Sequence, residues 1–122
     1  MMTQKKITGS SGETIAKDYL IKKGYKFIES NFRFMRYEID LIFADEEKKI
    51  LIFVEVKTRK NKKYGEPEYS VNFPKKLHIK RAAEGFLHIY RQYKNYDVRI
   101  DTVSLILNEN NPPVISHIEN AF

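Results

Sequence analysis

The chain is 122 residues long, enough for one hydrophobic core and too short for two ordinary domains. Lysine and arginine outnumber aspartate and glutamate by 22 to 16, which gives a net charge of +6 and a bias toward anionic partners. The lack of cysteine excludes disulfides, thiolate zinc sites and cysteine nucleophiles. An apolar fraction of 42% with charges of both signs excludes a disordered chain. Met1–Ile7 lacks the apolar core of a signal peptide, and the longest apolar run, Ile50–Val54, is far too short to span a bilayer. A cytoplasmic protein with no membrane partner is expected, with residues 1–122 forming a single domain.

In chain order, residues 1–9 read as a loose polar start. Ser10, Ser11, Gly12 and Glu13 open a helix in which Ile15, Ala16, Tyr19 and Leu20 recur at helical spacing, and Gly24 stops it. Strands are expected over Tyr25–Phe34, Tyr37–Ala44 and Lys49–Thr58, the latter two joined by the polar hairpin loop Asp45-Glu46-Glu47-Lys48. Residues 59–72 form a mobile basic loop holding Gly65 and Pro67. From Pro74, a good first residue for a helix, Ile79, Ala83, Phe86, Tyr90 and Tyr93 mark an amphipathic helix of about five turns. Asp97–Leu107 is strand-like. Pro112-Pro113 breaks the chain, and Val114–Ile118 forms a short edge strand. The order α-β-β-β-α-β-β predicts an α/β fold, a sheet flanked by helices.

Charge stands where charge is costly. Ile50–Lys57 is apolar on both faces, as in a strand covered on both sides, yet Glu55 interrupts it and Lys57 follows on the same face. Asp40 likewise sits between Ile39 and Leu41-Ile42-Phe43. If Asp45 pairs with Ile50, Asp40 falls opposite Glu55 and Glu38 opposite Lys57, with Cβ atoms roughly 4.5–5.5 Å apart. Carboxylates that close repel unless a cation lies between them, and Mg²⁺ accepts such a pair together with waters. A purely structural reading pairs Lys57 with Glu55 and some arginine with Asp40. Two acids and a lysine on adjacent apolar strands favour a metal centre.

These residues resemble a known signature. Asp40 followed by Glu55-Val56-Lys57 on the next strand is similar to the PD-(D/E)xK pattern of restriction-endonuclease-like nucleases. The wider set looks like the YraN family of predicted bacterial endonucleases. It comprises Gly12-Glu13, Ala16, Tyr19-Leu20, Gly24-Tyr25, Asn31-Phe32-Arg33, Glu38–Ile42, Phe53–Arg59, Gly65, Pro67, Val71, Lys75-Lys76 and Arg99-Ile100-Asp101. Archaeal Holliday-junction resolvases are a more distant likeness. One departure is Tyr37, where family members often carry glycine. The resemblance implies a restriction-endonuclease-like fold with a central mixed sheet flanked by helices. It further implies Asp40 and Glu55 as metal ligands, Lys57 as the catalytic lysine and Glu13 as an additional acid. The implied activity is Mg²⁺-dependent hydrolysis of DNA phosphodiester bonds, with Mn²⁺ able to substitute and branched or junction DNA as a candidate substrate. The Val56 carbonyl would complete the ligand set. Glu13 also admits a structural reading, because Ser10-x-x-Glu13 has the form of a capping box.

Two basic clusters suit phosphate contacts: Arg59, Lys60, Lys62 and Lys63 beyond the third strand, and Lys75, Lys76, Lys80 and Arg81 at the second helix. Nucleic acid, DNA in particular, is therefore the expected partner. A symmetric cut of two strands would call for a homodimer. The main alternative is a non-catalytic nucleic-acid-binding module on the same fold, and a protein-interaction adaptor is a third reading. His78, His88 and His117 lack metal-ligand spacing, and Gly9-x-x-Gly12 is too short for a phosphate loop. The aromatic series of the second helix reads as core, and Asp101 as the partner of a nearby arginine.

Overall fold

The computed structural model describes residues 4–59, 73–108 and 110–121. They form helix α1 (Gln4–Lys22), strands β1 (Lys26–Phe34), β2 (Tyr37–Asp45) and β3 (Ile50–Arg59), helix α2 (Phe73–Ile89), and strands β4 (Asp97–Asn108) and β5 (Asn111–Ile118). The strands make a single sheet in the order β1-β2-β3-β4-β5. All pairs are antiparallel except β3 with β4, so the sheet is mixed. A parallel pair needs a crossover, which contains α2. The expected order and architecture are those observed.

Each helix covers one face. Ala16 and Leu20 of α1 pack on Leu41, Phe43, Ile52, Val54, Val103 and Leu105. Ile79, Ala82, Ala83 and Phe86 of α2 pack on Ile42, Ala44, Leu51, Phe53 and Ile100. The alternation of β3 is thus divided between two cores, with Ile52 and Val54 toward α1 and Leu51 and Phe53 toward α2. The aromatic series of α2 is core, as expected: the Phe86 ring lies 5.2 Å from Phe32, 5.7 Å from Phe53 and 4.5 Å from Tyr90.

Three boundaries differ from the sequence reading. Helix α1 starts at Gln4, so the expected loose start is helical from residue 4 and Ser10-x-x-Glu13 lies inside the helix rather than capping it. Gly24 does end α1: with φ +100°, it lets the Tyr25 N–H reach back to the Leu20 carbonyl at 3.3 Å. Helix α2 ends at Ile89, and a single 3-10 turn over Arg91–Tyr93 replaces its expected last turn. The tighter turn keeps Tyr93 on the Phe86 ring while redirecting the chain, so that the Asp97 N–H meets the Lys49 carbonyl at 2.9 Å. Finally, Pro112 and Pro113 lie within β5 instead of breaking it. The ladder passes from Val114↔Ile106 to Asn111↔Asn108 across an irregularity, on an edge strand where a missing N–H is tolerated. Residues 60–72, including Lys60, Lys62 and Lys63, lie outside the described residues, as does the greater part of the expected basic loop.

Candidate metal centre and its surroundings

The β2–β3 hairpin has the register expected from the sequence, running from Asp45↔Ile50 to Leu41↔Val54. One residue further on, the main-chain ladder gives way to a side chain. The Val56 N–H donates to Asp40 Oδ2 at 2.8 Å. On the other flank, β1–β2 pairing steps from Ser30↔Leu41 to Phe32↔Ile39, passing over Asn31 and Asp40. The register does not shift at this step, the bulge of β1 lying earlier, between Phe27 and Glu29, but Asn31 has φ +54°, a left-handed conformation that asparagine tolerates better than most residues. The alternation of β2 breaks at the same place, because Ile39 and Ile42 share the α2-side core while Leu41 and Phe43 face α1. Strand β2 therefore rotates at Asp40, which turns its carboxylate toward β3 rather than into either apolar layer. The expected Glu38–Lys57 pairing is not formed. Glu38 instead pairs with Arg33, on its own hairpin, at 3.1 Å.

Glu55 is buried on the α2 side of β3, and Lys75 reaches it from above, Nζ to Oε1 at 2.9 Å. Lys75 stands one turn before Ile79 on the core face of α2, and this spacing aims it at the sheet. Lys57, two residues beyond Glu55, shares its face and is half-buried. Glu13 comes from the other side. A Cβ on Gly12 would collide with the Thr58 hydroxyl, so glycine lets α1 lie directly on the end of β3 and brings half-buried Glu13 into the field of Asp40.

The electrostatics follow from this crowding. Burial pushes the Asp40 carboxyl from 3.8 up to about 7. The neighbouring Glu55 and, more weakly, Glu13 act in the same direction, against the Val56 N–H and Lys75. Lys75 is raised chiefly by its hydrogen bond to Glu55. An ammonium already drawn onto one acid, and a second acid reluctant to ionise beside it, mark a place where added positive charge is favourable. Among the described residues no three acidic or histidine side chains gather as a ready ligand set. The donor set is therefore two carboxylates and main chain. A residue in an extended strand projects its N–H and C=O to the same flank, so the Val56 carbonyl also faces β2. Two carboxylates, a carbonyl and waters fit Mg²⁺, which keeps much of its hydration shell.

The remaining sequence candidates separate. Lys76 is half-buried on the first turn of α2. Lys80 and Arg81 line a groove of about 750 Å³ between α2 and β4 together with Leu77, Val98 and Asn120. Arg59 ends β3. The role of Lys75 at Glu55 went beyond the phosphate contact expected of it, although its position four residues before buried Ile79 signalled an inward direction.

A second polar cluster, on the α1 side, was legible only in part. Asp101 is fully buried and pairs with Arg99, as expected, through contacts of 2.9 and 3.0 Å. It also accepts from the Asn120 N–H at 3.0 Å and bonds His117 Nε2 at 2.8 Å. Lys23 Nζ lies 3.0 Å from His117 Nδ1. An ammonium only donates, so Nδ1 accepts and Nε2–H donates to Asp101. Burial alone would raise the Asp101 carboxyl, but the bonds from His117 and Arg99 outweigh it and hold the group below its ordinary value. Bonds to Asp101 and Tyr25 raise Arg99 despite its burial.

Comparison with known proteins gives a consistent picture. Residues 12–105 match the model of the uncharacterised protein family UPF0102. A UPF0102 protein of Caldicellulosiruptor bescii is 45% identical over 118 residues, covering 96% of this chain and 98% of the relative. Another from Natranaerobius thermophilus is 39% identical over 118 residues, with the same coverage. One from Thermodesulfovibrio yellowstonii is 41% identical over 114 residues, covering 93% of this chain and 94% of its own. No described helix is long and apolar enough to cross a membrane.

Proposed function

This chain belongs to the UPF0102 family, and from the site it carries we propose that it is a Mg²⁺-dependent endonuclease that hydrolyses DNA phosphodiester bonds, with branched or junction DNA as the candidate substrate. The observation that carries the reading is the meeting of Asp40 and Glu55. Their carboxylates lie close enough for Glu55 to help drive Asp40 to about 7, with Lys57 two residues along the same strand face. A protein that only bound nucleic acid would gain nothing from buried acids that repel phosphate.

Asp40, Glu55 and the Val56 carbonyl would hold the ion. When bound, Mg²⁺ offsets charge on a phosphate and makes a water more acidic. The other roles belong to the chain itself. The Val56 N–H fixes Asp40 by its bond to Oδ2. Lys57 supplies a point charge for the phosphoryl oxygens as negative charge builds on them. Glu13 orients a water at the mouth of the site. Lys75, held on Glu55 in this structure, would be within reach to exchange that bond for a phosphate contact once a cation neutralised the acid. Lys76, Lys80, Arg81 and Arg59, together with Lys60, Lys62 and Lys63, give affinity without base recognition.

The test is purified protein incubated with branched, nicked, single-stranded and plain duplex DNA. Wild type should cut at least one of them with Mg²⁺ or Mn²⁺ and none with chelator, and Asp40→Ala and Lys57→Ala should not cut. No cleavage of any substrate, or cleavage unchanged in both variants, rejects the proposal. Salt-sensitive DNA binding without cutting would identify a binding module instead.

A further inference from the structure

The sheet face that carries Glu55 and Lys57 continues onto β4. Parallel pairing sets Glu55 beside Thr102 and Lys57 beside Ser104. All four lie on the α2 side, because Phe53 and Ile100, two residues before Glu55 and Thr102, both belong to the core beneath α2. Adjacent strands are about 4.8 Å apart, within reach of side-chain hydrogen bonds. Thr102 is 0% exposed and Ser104 3%. Neither hydroxyl has a hydrogen-bond partner among the described residues.

That burial has a cost that valine or alanine in the same places would avoid. On the opposite face of the same strand, the equally buried Asp101 is fully bonded. Strand β4 therefore satisfies its buried polar groups on one face and leaves two hydroxyls unmatched on the other, at the positions adjoining the acid and the lysine. Each buried polar atom left without a partner calls for an explanation, a role in a neighbouring site or a bound water or ion among them.

We propose that Thr102 and Ser104 are positioning residues of the candidate site, the Thr102 hydroxyl donating to the Glu55 carboxylate and the Ser104 hydroxyl accepting from the Lys57 ammonium. The inference rests on the reading of Glu55 as a metal ligand and deepens it. One oxygen of Glu55 is taken by Lys75. A hydroxyl on the neighbouring strand fixes the direction of the other, as the outer partners of metal-binding carboxylates do. Ser104 holds the lysine at the same depth, so acid and lysine keep a constant separation.

The experiment pairs crystallography with calorimetry. Crystals of the wild type, grown without metal and with Mn²⁺, should show Thr102 Oγ1 within hydrogen-bonding distance of the Glu55 carboxylate in at least one state. Mn²⁺ titration should show binding weakened about tenfold in Thr102→Val, recovered in Thr102→Ser, with thermal stability equal to or above that of wild type. A residue with a merely structural role would move stability and leave Mn²⁺ affinity alone. Hydroxyls that bond only main chain in both crystals, or Thr102→Val with wild-type Mn²⁺ affinity, overturn the inference. If wild type binds no Mn²⁺, the metal reading fails separately, and the Thr102–Glu55 distance in the metal-free crystal still decides the positioning claim.

Discussion

Lys75 Nζ sits 2.9 Å from Glu55 Oε1, an ion pair between the first turn of a helix and the centre of a sheet. On the proposed metal reading, lysine and ion would compete for Glu55. Lys75→Met should destabilise the metal-free protein by on the order of 1 kcal/mol, between the values for exposed and buried pairs. Added Mg²⁺ should raise the melting temperature of the variant more than that of wild type. Equal shifts in the two proteins would show that lysine and ion do not share a place.

Asp40 predicts a pH dependence of definite sign. In the unfolded chain its carboxyl loses a proton near 3.8, whereas in the fold it keeps it up to about 7. Between those values the native state binds more protons, so this group makes stability fall as pH rises. Asp40→Asn removes the loss. Thermal unfolding without metal should show the variant level with wild type near pH 4 and more stable above pH 7. A gain of the same size at both ends would place its origin elsewhere.

Gly12 is set by contact rather than by backbone freedom. Gly12→Ala should cost about 1–3 kcal/mol through the clash with Thr58. The double variant Gly12→Ala with Thr58→Ala should recover most of it, as read by chemical denaturation. If the double variant is no better than the single, α1 does not rest on β3 at this point.

The Asp101 cluster should prove structural. Asp101→Asn removes the buried carboxylate from Arg99 and His117 and leaves Arg99 only its longer contact with the exposed Glu119, at a cost of about 3 kcal/mol. Because the Asp101 carboxyl is held below its ordinary value, its contribution is present above 3.8 and lost as pH falls through the lower folded value. Denaturation of wild type and variant from pH 7 down to pH 2 should therefore converge at the acid end. A constant gap would contradict the assignment.

Much of this was legible in the chain. The β2–β3 register followed from the polar loop between the two strands, since β3 is covered on both faces and its apolar pattern alone does not choose between neighbouring registers. Asp40 and Glu55 stood out because charge in an apolar strand is costly. Less legible was anything that depends on geometry between distant elements. Nothing in the order Asn31…Asp40 announces a rotated strand, and Thr102 and Ser104 look ordinary until β4 lies parallel to β3. Tyr90 fits the helical period and still leaves the helix, since the return to β4 overrides local preference. His117 gained its meaning from Lys23 and Asp101, 94 and 16 residues away along the chain.

Pro112 and Pro113 lie on the sheet's outer margin, in an exposed stretch of β5. The prolines offer no amide hydrogen to a strand approaching that border from outside, which weakens templated growth of the sheet at this end of β5. The opposite edge, β1, carries no proline, so the two borders of the sheet differ in what they offer an incoming strand.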